Sequence, residues 1–259
     1  MSPAPAALLP ALEDLARRAG AVILEVYHSD FAVERKDDAS PVTEADRRAE
    51  ALILPGLAAL LPGVPAVAEE EAAAGRIPAV GGNPFWLVDP LDGTKEFVKR
   101  NGEFTVNIAL VVAGVPVAGV VYAPVPDRMW SGAAGAGASV VDGQGRRHAI
   151  ACRPVPETGA VVLTSRSHRN PAALEAWMAP LPAAVLDFAG SSLKFCRVAE
   201  GSADFYPRFG PTNEWDTAAG HAVLLAAGGE VVTFAGAPLG YGKVGFGNPD
   251  FLARAMGAV

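Results

Sequence analysis

The sequence predicts a mixed α+β and α/β fold made of two unlike halves. Strand-like runs separated by short turns succeed one another over residues 105–151, which is typical of an antiparallel meander. After a linker with two prolines at residues 153–158, strand-like and helix-like segments alternate, which is typical of an α/β layer. We therefore expect an N-terminal α+β subdomain over residues 1–152 and a C-terminal α/β subdomain over residues 153–259.

Length, charge and cysteine content limit the classes of function. The chain has 259 residues, 51% of them hydrophobic, which is enough for one large or two moderate cores. Its net charge of −7 argues against an electrostatic nucleic-acid binder, although local cations or metals could still receive a small anionic substrate. Cys152 and Cys196 lie far apart, which argues against zinc or a disulfide framework and favours a reducing, cytoplasmic location. We expect neither a membrane span nor a targeting signal.

The first sixty residues predict two helices. Apolar residues recur at helical spacing over residues 8–26, which indicates an amphipathic helix that faces the core. Residues 33–43 are charged and typical of a loop. Thr43 then suits the N-cap of a second helix that ends near Leu61, with Asp46 at its third position. A carboxylate there is ordinarily explained by the helix dipole.

Two predicted strands end in carboxylates. A short strand over residues 64–68 is followed by Glu69, and an apolar strand from residue 85 is followed by Asp89, where Pro90 should end it. Three consecutive glutamates are usually a solvated surface, and residues 89–93 have the composition of an ordinary turn. Neighbouring strands that end this way could nevertheless share a metal. Asp89 and Asp92 suit Mg²⁺, which prefers oxygen ligands.

A short helix is predicted to begin near Thr94, directly after this corner. The backbone N–H groups around Gly93 and Thr94 lack partners inside that helix, so a phosphate can bind there. The strands over residues 105–112 and 115–122 should then form a hairpin through Ala113 and Gly114.

The C-terminal half offers further polar residues at predicted element ends. Asp216 should lie in the first turn of a helix over residues 213–227, followed by small residues that permit close packing. Taken alone, Asp216 is better explained by the helix dipole, with the small residues making a helix–helix contact. Hydroxyls and cations of the kind that phosphates need are supplied by Ser191, Lys194, Arg208 and His168, although a lone histidine is usually an ordinary surface residue.

Four ordered blocks resemble the inositol monophosphatase superfamily. They are SPVTEAD at 40–46, AEE at 68–70, WLVDPLDGT at 86–94 and WDTAAG at 215–220. Residues 89–112, 165–168, 190–196 and 206–212 are similar to one branch, the CysQ-type 3'(2'),5'-bisphosphate nucleotidases. The resemblance implies a layered αβαβα sandwich, with an antiparallel sheet half and a mixed α/β half that form a cleft between them.

The resemblance also implies a set of site residues. Mg²⁺, as two ions with a third left open, would bind Glu69, Asp89, Asp92, Asp216 and the carbonyl of Leu91. Thr94, Asp46 and Glu69 would form the catalytic group around the attacking water. The nucleotide would contact Gly93, Thr94, His168, Ser191, Lys194 and Arg208.

The implied activity is hydrolysis of the 3'-phosphate of adenosine 3',5'-bisphosphate, within sulfur assimilation or nucleotide recycling. The resemblance also implies inhibition by lithium. A location peripheral to the inner membrane is a further implication, but the sequence contains no basic amphipathic segment that would support it. The sequence leaves open the oligomeric state and the choice among the 3'-phosphate, the 2'-isomer and the adenylyl-sulfate form.

Three other interpretations compete with this one. A sibling phosphatase for inositol monophosphate or fructose bisphosphate would keep the metal ligands and change the pocket. A haloacid-dehalogenase-type phosphatase would use an aspartyl nucleophile, but two residues separate Asp89 from Asp92 where its motif has one. A non-catalytic ligand-binding relative is the third, and every ligand position implied above is present in the chain.

Overall fold

The computed structural model describes residues 4–35, 41–166 and 170–258. The helices are α1 (Pro5–Tyr27), α2 (Glu44–Leu60), α3 (Glu69–Ala73), α4 (Thr94–Val98), α5 (Pro171–Met178), α6 (Leu193–Ala199) and α7 (Ala218–Ala226). The strands are β1 (Val33–Arg35), β2 (Pro41–Thr43), β3 (Ala66–Ala68), β4 (Phe85–Asp92), β5 (Thr105–Val112), β6 (Val115–Ala123), β7 (Arg128–Ala133), β8 (Gly137–Val141), β9 (Arg147–Ile150), β10 (Val161–Thr164), β11 (Val185–Phe188), β12 (Phe205–Arg208), β13 (Gly229–Thr233) and β14 (Phe251–Ala255).

The first large sheet is a seven-stranded meander in the order β3-β4-β5-β6-β7-β8-β9. β3 and β4 run parallel, and every later neighbour pairs antiparallel. The predicted hairpin between β5 and β6 is confirmed. Ala113 and Gly114 join the two strands with φ values of 50° and 76°, as a two-residue turn of the I′ class requires.

The second large sheet has five strands in the order β11-β10-β12-β14-β13. β10 runs parallel to both β11 and β12, whereas β14 is antiparallel to both of its neighbours. This sheet is therefore mixed, because helical crossovers link its first three strands and β14 returns between β12 and β13.

The layers follow from which face of each sheet is apolar. α1 and α2 cover one face of the first sheet, where Leu12 and Ile53 share a buried cluster with Trp86. α6 and α7 lie between the two sheets, and Leu174 of α5 packs on the outer face of the second. The layered αβαβα fold is therefore confirmed.

Small residues allow α7 to lie close against the first sheet. A Cβ added at Gly119 of β6 would come within 2.6 Å of the Ala219 carbonyl oxygen, and one at Gly132 of β7 within 2.8 Å of Ala226 Cβ. Such distances are too short for a side chain, so glycine is required at both positions. The close approach expected from the small residues after Asp216 is thereby confirmed.

Three segments differ from their predicted structures. Residues 33–43, expected as a loop, contain the paired strands β1 and β2. β4 does not end at Pro90 but continues to Asp92, because an irregularity in its pairing accommodates the proline. β14 has no counterpart among the predicted strands, because Phe251–Ala255 lacks β-branched residues and is held by the strands on either side.

The helix predicted over residues 213–227 begins later, at Ala218. Asn213 forms an isolated β-bridge with Gly247 and residues 215–217 form a turn, in which the Asp216 carboxylate accepts the backbone N–H of Asn213 at 2.9 Å. Asp216 therefore lies just before the helix, and its predicted place in the first helical turn is wrong. The subdomain boundary between residues 152 and 153 stays a prediction, with the first sheet ending at Ile150 and the second beginning at Val161.

Along the described residues, no helix combines the length and the apolar character that crossing a bilayer requires.

Candidate metal and phosphate site

One cavity of about 460 Å³ receives most of the predicted site residues. It is lined by Glu69, Asp89, Leu91, Asp92, Gly93, Thr94, Ser191, Lys194, Arg208 and Asp216. Asp46 is buried behind this lining and reaches it through Thr94. His168 lies outside the described residues, so its predicted contact stays a prediction.

Parallel pairing of β3 and β4 brings the first two carboxylates together. Ala68 lies opposite Val88, so the next residues, Glu69 and Asp89, leave adjacent strands side by side. Their carboxyl groups share a hydrogen bond. The structure therefore places next to each other the two strand ends that the sequence suggested could share a metal.

A bulge in β4 turns Asp92 toward the same cavity as Asp89. Asp89 lies opposite Asn107 and Asp92 opposite Thr105, so three steps along β4 match two steps along β5. Without the extra residue, two positions three apart in a strand would face opposite sides of the sheet. Pro90 fits the bulge because it has no N–H to contribute to the ladder.

Two buried residues that the sequence did not single out hold Asp92 in place. Ser192 Oγ lies 3.0 Å from Asp92 Oδ2 and 2.9 Å from the carbonyl oxygen of Asp216. Asn107 Nδ2 donates to Ser192 Oγ at 2.8 Å and to Asp92 Oδ2 at 3.3 Å. Ser192 thereby connects β4 with the turn that carries Asp216. The sequence signal for Asn107 was an amide inside an otherwise apolar strand.

Burial and mutual repulsion dominate the electrostatics of the carboxylates. Burial, followed by the charges of Glu69 and Asp92, raises the pKa of Asp89 well above its usual range. Burial, then the charges of Asp92 and Glu69, does the same to the pKa of Asp216. Burial also raises the pKa of Asp92 to about 6, against the opposing effect of Lys194. The negative charge of these carboxylates is therefore not balanced by nearby positive charge.

The donor set fits a hard divalent cation. Carboxylate oxygens and the Leu91 carbonyl are ligands that Mg²⁺ accepts, and no softer sulfur or imidazole donor lines the described part of the cavity. A bound cation would supply the missing charge. In the described ranges no three Asp, Glu, His or Cys side chains already form a closed metal cage, so the donors share the cavity without converging on one point.

Thr94 and Asp46 form a hydrogen-bonded pair at the edge of the cavity. Thr94 Oγ1 lies 3.3 Å from both Asp46 Oδ1 and the Leu91 carbonyl oxygen. Asp46 Oδ2 accepts the backbone N–H and the hydroxyl of Thr43, each at 2.8 Å, which confirms the predicted N-cap of α2. Burial raises the pKa of Asp46 to about 7. One carboxylate thus caps a helix and contacts Thr94.

Lys194 and Arg208 bring positive charge to the same cavity as the carboxylates. Lys194 is buried, and its Nζ donates to the carbonyls of Ser191 at 2.6 Å and Ala189 at 3.2 Å. Burial lowers the pKa of Lys194 to about 8. Arg208 Nη2 donates to the Pro211 carbonyl at 2.8 Å, at a more open position.

Ser191 and Gly93 adopt left-handed backbone conformations where the two halves meet. Ser191 has φ 43°, and its buried Oγ has no hydrogen-bond partner within the part of the chain that the structure describes. Gly93 has φ 93°, and a Cβ there would lie 3.1 Å from the Glu103 carbonyl oxygen and 3.4 Å from Ser191 Cβ. The Ser191 hydroxyl is therefore a buried hydrogen-bonding group that the described part of the chain leaves unsatisfied, in a residue that lines the cavity.

Sequence comparison decides the family. The inositol monophosphatase family model matches residues 5–255, nearly the whole chain. The chain belongs to the inositol monophosphatase family. As a member of that family it is a phosphatase, in agreement with the carboxylate-lined cavity.

Curated relatives within this family include nucleotidases. The 3'(2'),5'-bisphosphate nucleotidase CysQ of Escherichia coli K12 is 49% identical over 240 residues, covering 92% of this chain and 95% of its own length. The protein of that name from Buchnera aphidicola is 42% identical over 255 residues, covering 96% and 94%.

Solved structures agree with the family assignment. CysQ from Bacteroides thetaiotaomicron superposes with a TM-score of 0.83 and 38% identity, over 97% of both chains. The inositol monophosphatase of Anabaena superposes with a TM-score of 0.75 and 27% identity, over 96% of this chain and 90% of the other.

Proposed function

We propose that this inositol monophosphatase family member is a Mg²⁺-dependent 3'(2'),5'-bisphosphate nucleotidase. It would hydrolyse the 3'-phosphate of adenosine 3',5'-bisphosphate to AMP and phosphate, within sulfur assimilation or nucleotide recycling in the cytoplasm. One observation carries the proposal: Lys194 and Arg208 line the same cavity as the buried carboxylates, so a single substrate can meet both. The names of relatives that are 42–49% identical support it.

The carboxylates would hold the metal. Glu69, Asp89, Asp92 and Asp216 would bind two Mg²⁺ ions together with the Leu91 carbonyl, and a third ion is left open. Mg²⁺ bound there supplies the positive charge and the water activation that an in-line phosphoryl displacement needs. Ser192 and Asn107 fix the orientation of Asp92, as residues behind a metal ligand commonly do.

Thr94 would position the attacking water. Its hydroxyl can donate to Asp46 while one of its lone pairs accepts a hydrogen bond from water in the cavity. Asp46 is suited to receive that bond because it is fixed by Thr43 and carries a pKa raised to about 7. Glu69, beside Asp89, is the third member of this proposed catalytic group.

The second phosphate of the substrate would meet the cations. An anion that the metal site does not reach needs its own positive charge, which Arg208 and the remaining N–H of Lys194 provide. The Ser191 hydroxyl, which has no hydrogen-bond partner among the described residues, would add a donor from the lining of the same cavity. Gly93 and Thr94 would bind the scissile phosphate through backbone N–H groups, and His168 would complete the nucleotide site.

A substrate panel tests the proposal. Phosphate release by purified protein with Mg²⁺ should be fastest with adenosine 3',5'-bisphosphate or its close relatives, the 2'-isomer and the adenylyl-sulfate form. Inositol 1-phosphate and fructose 1,6-bisphosphate are the comparison substrates. A preference for either would replace the proposal with a sibling sugar phosphatase. Absence of any phosphate release would overturn the enzymatic assignment.

A further inference from the structure

A buried glutamate on α2, Glu50, makes contacts that the proposed mechanism leaves unexplained. It lies one helical turn after Asp46, so both carboxylates project from the same face of α2. Glu50 Oε2 accepts the backbone N–H of Glu70 at 2.9 Å, and Oε1 accepts that of Glu71 at 3.0 Å. Both hydrogen bonds end on the first turn of α3.

The N-terminus of α3 is capped by Glu50, a residue of another helix. It is only five residues long, too short to be stable alone, and the residue before it is Ala68, which has no capping oxygen. Its first three residues are all acidic, which suits the positive end of the helix dipole but supplies no N-cap oxygen. Glu50 therefore satisfies two N–H groups that α3 cannot satisfy with its own N-cap side chain.

The position of α3 determines the position of Glu69. Glu69 is the first residue of α3 and stands beside Asp89, where the two carboxyl groups share a hydrogen bond. Because Glu69 both opens α3 and lines the cavity, any shift of this short helix would move the Glu69 carboxyl group relative to the other carboxylates of the cavity. α2 thus contacts the site at two places: Asp46 contacts Thr94, and Glu50 accepts two backbone N–H groups of α3.

We propose that Glu50 is a positioning residue, which holds Glu69 in place for divalent metal through its two hydrogen bonds to α3. This inference rests on the proposed metal-dependent function. It adds that metal affinity depends on a carboxylate that does not touch the metal. Residues behind a metal ligand typically change metal affinity by about 10- to 100-fold when they are substituted.

Glu50→Gln is the test variant, because it keeps the side-chain shape but leaves only one acceptor for two N–H donors. Glu44→Gln is the matched control, since Glu44 lies on the same helix with its side chain 67% exposed. Calorimetric titration with Mn²⁺ should show affinity about 10- to 100-fold weaker in Glu50→Gln than in wild type. Glu44→Gln should bind like wild type, and KM for the nucleotide at saturating Mg²⁺ should stay unchanged in both variants.

A measurement on the wild-type protein covers the case in which Glu50→Gln does not fold. If Glu50 couples α3 to the metal, Mn²⁺ must in turn slow hydrogen exchange at the Glu70 and Glu71 amides, because coupling is reciprocal. Wild-type Mn²⁺ affinity in a folded Glu50→Gln variant, or unchanged exchange at both amides, overturns the inference. Mn²⁺ binding that requires Glu50 in a protein inactive on the nucleotide supports the inference and overturns only the substrate proposal. A wild type that binds no Mn²⁺ overturns both.

Discussion

Asp89 and Asp92 face one cavity although they lie three positions apart along a single strand, where residues normally face opposite sides of the sheet. The bulge at Pro90 makes this possible, because it moves Asp92 to the face that Asp89 already occupies. The same face carries Leu87 into the core between the sheet and α6 and α7. The chain thus places two charged residues at the end of a buried apolar strand, where only a cation or protonation can balance them.

Asp89→Asn should abolish most phosphatase activity while the protein stays folded. An amide is a neutral and poorer ligand for Mg²⁺, and its introduction removes a buried charge that its neighbours repel. Phosphate release measures the activity, and circular dichroism with thermal unfolding checks the fold. Near-normal turnover in this variant, or activity that survives thorough EDTA treatment of the wild type, would contradict metal dependence.

Thr94→Ala should lower kcat far more than it weakens substrate binding, because the hydroxyl is proposed to act on the attacking water. Thr94→Ser keeps that hydroxyl and is the matched control, for which we expect most of the rate to return.

Direct attack by water also leaves no phosphoenzyme. Rapid acid quench followed by mass spectrometry checks this, and a phosphorylated Asp89 would favour the aspartyl-nucleophile mechanism instead.

Lithium should inhibit at millimolar concentration if one Mg²⁺ position accepts Li⁺, as the family resemblance implies. Activity is measured while LiCl replaces KCl at constant ionic strength, so that general salt effects cancel. Equal activity in the two salts would count against this metal arrangement.

Local sequence patterns predicted the elements, and long-range contacts decided the site. The capping box of Thr43 and Asp46 was predictable because its residues lie within one helical turn. The bulge at Pro90 was not, because it is defined by the register with β5 rather than by β4 alone. The contact of Ser192 with Asp92 joins residues 100 positions apart, and no local pattern reports on such a pair.

His221 should make the protein less stable in mild acid. It is buried on α7, where its Nδ1 lies 2.9 Å from the Tyr241 hydroxyl. Burial lowers its pKa to about 3 in the folded protein, whereas an unfolded histidine titrates at about 6.5. Between these values the unfolded chain binds the extra proton, so this residue lowers the free energy of unfolding as pH falls below about 6.5.

The experiment compares His221→Gln with wild type by urea unfolding at about pH 7.5 and pH 5. Carboxylates with raised pKa values shift stability in the opposite direction, but they are common to both proteins and cancel in the comparison. The wild type should lose about 2 kcal/mol more than the variant over this interval, at about 1.4 kcal/mol per pH unit below the unfolded pKa. If the free energy of unfolding changes with pH by the same amount in wild type and in His221→Gln, His221 is not buried as a neutral group.

Arg208 should determine the preference for a bisphosphate over a monophosphate. Losing one charge-assisted contact to a phosphate costs roughly 1.5–3 kcal/mol, or about ten- to a hundredfold in kcat/KM. Arg208→Ala should show this loss with adenosine 3',5'-bisphosphate and hardly any with inositol 1-phosphate, which has no second anion. Arg208→Lys retains a positive charge without the guanidinium fork and should give an intermediate value.

Lys194→Ala should also lower kcat/KM for adenosine 3',5'-bisphosphate relative to kcat/KM for inositol 1-phosphate. It is a less selective test than Arg208→Ala. The Lys194 ammonium also donates to the carbonyls of Ala189 and Ser191 and opposes the raised pKa of Asp92. Its removal should therefore reduce activity on both substrates, with the larger loss on the bisphosphate. Arg208 donates to the carbonyls of Gly210 and Pro211 and is also hydrogen-bonded to Tyr206, so the activity that Arg208→Ala retains on the monophosphate checks for loss of these contacts. The difference between its losses on the two substrates then measures the contribution of the second phosphate. If Arg208→Ala loses both activities equally, the nucleotidase proposal fails and a sibling phosphatase takes its place.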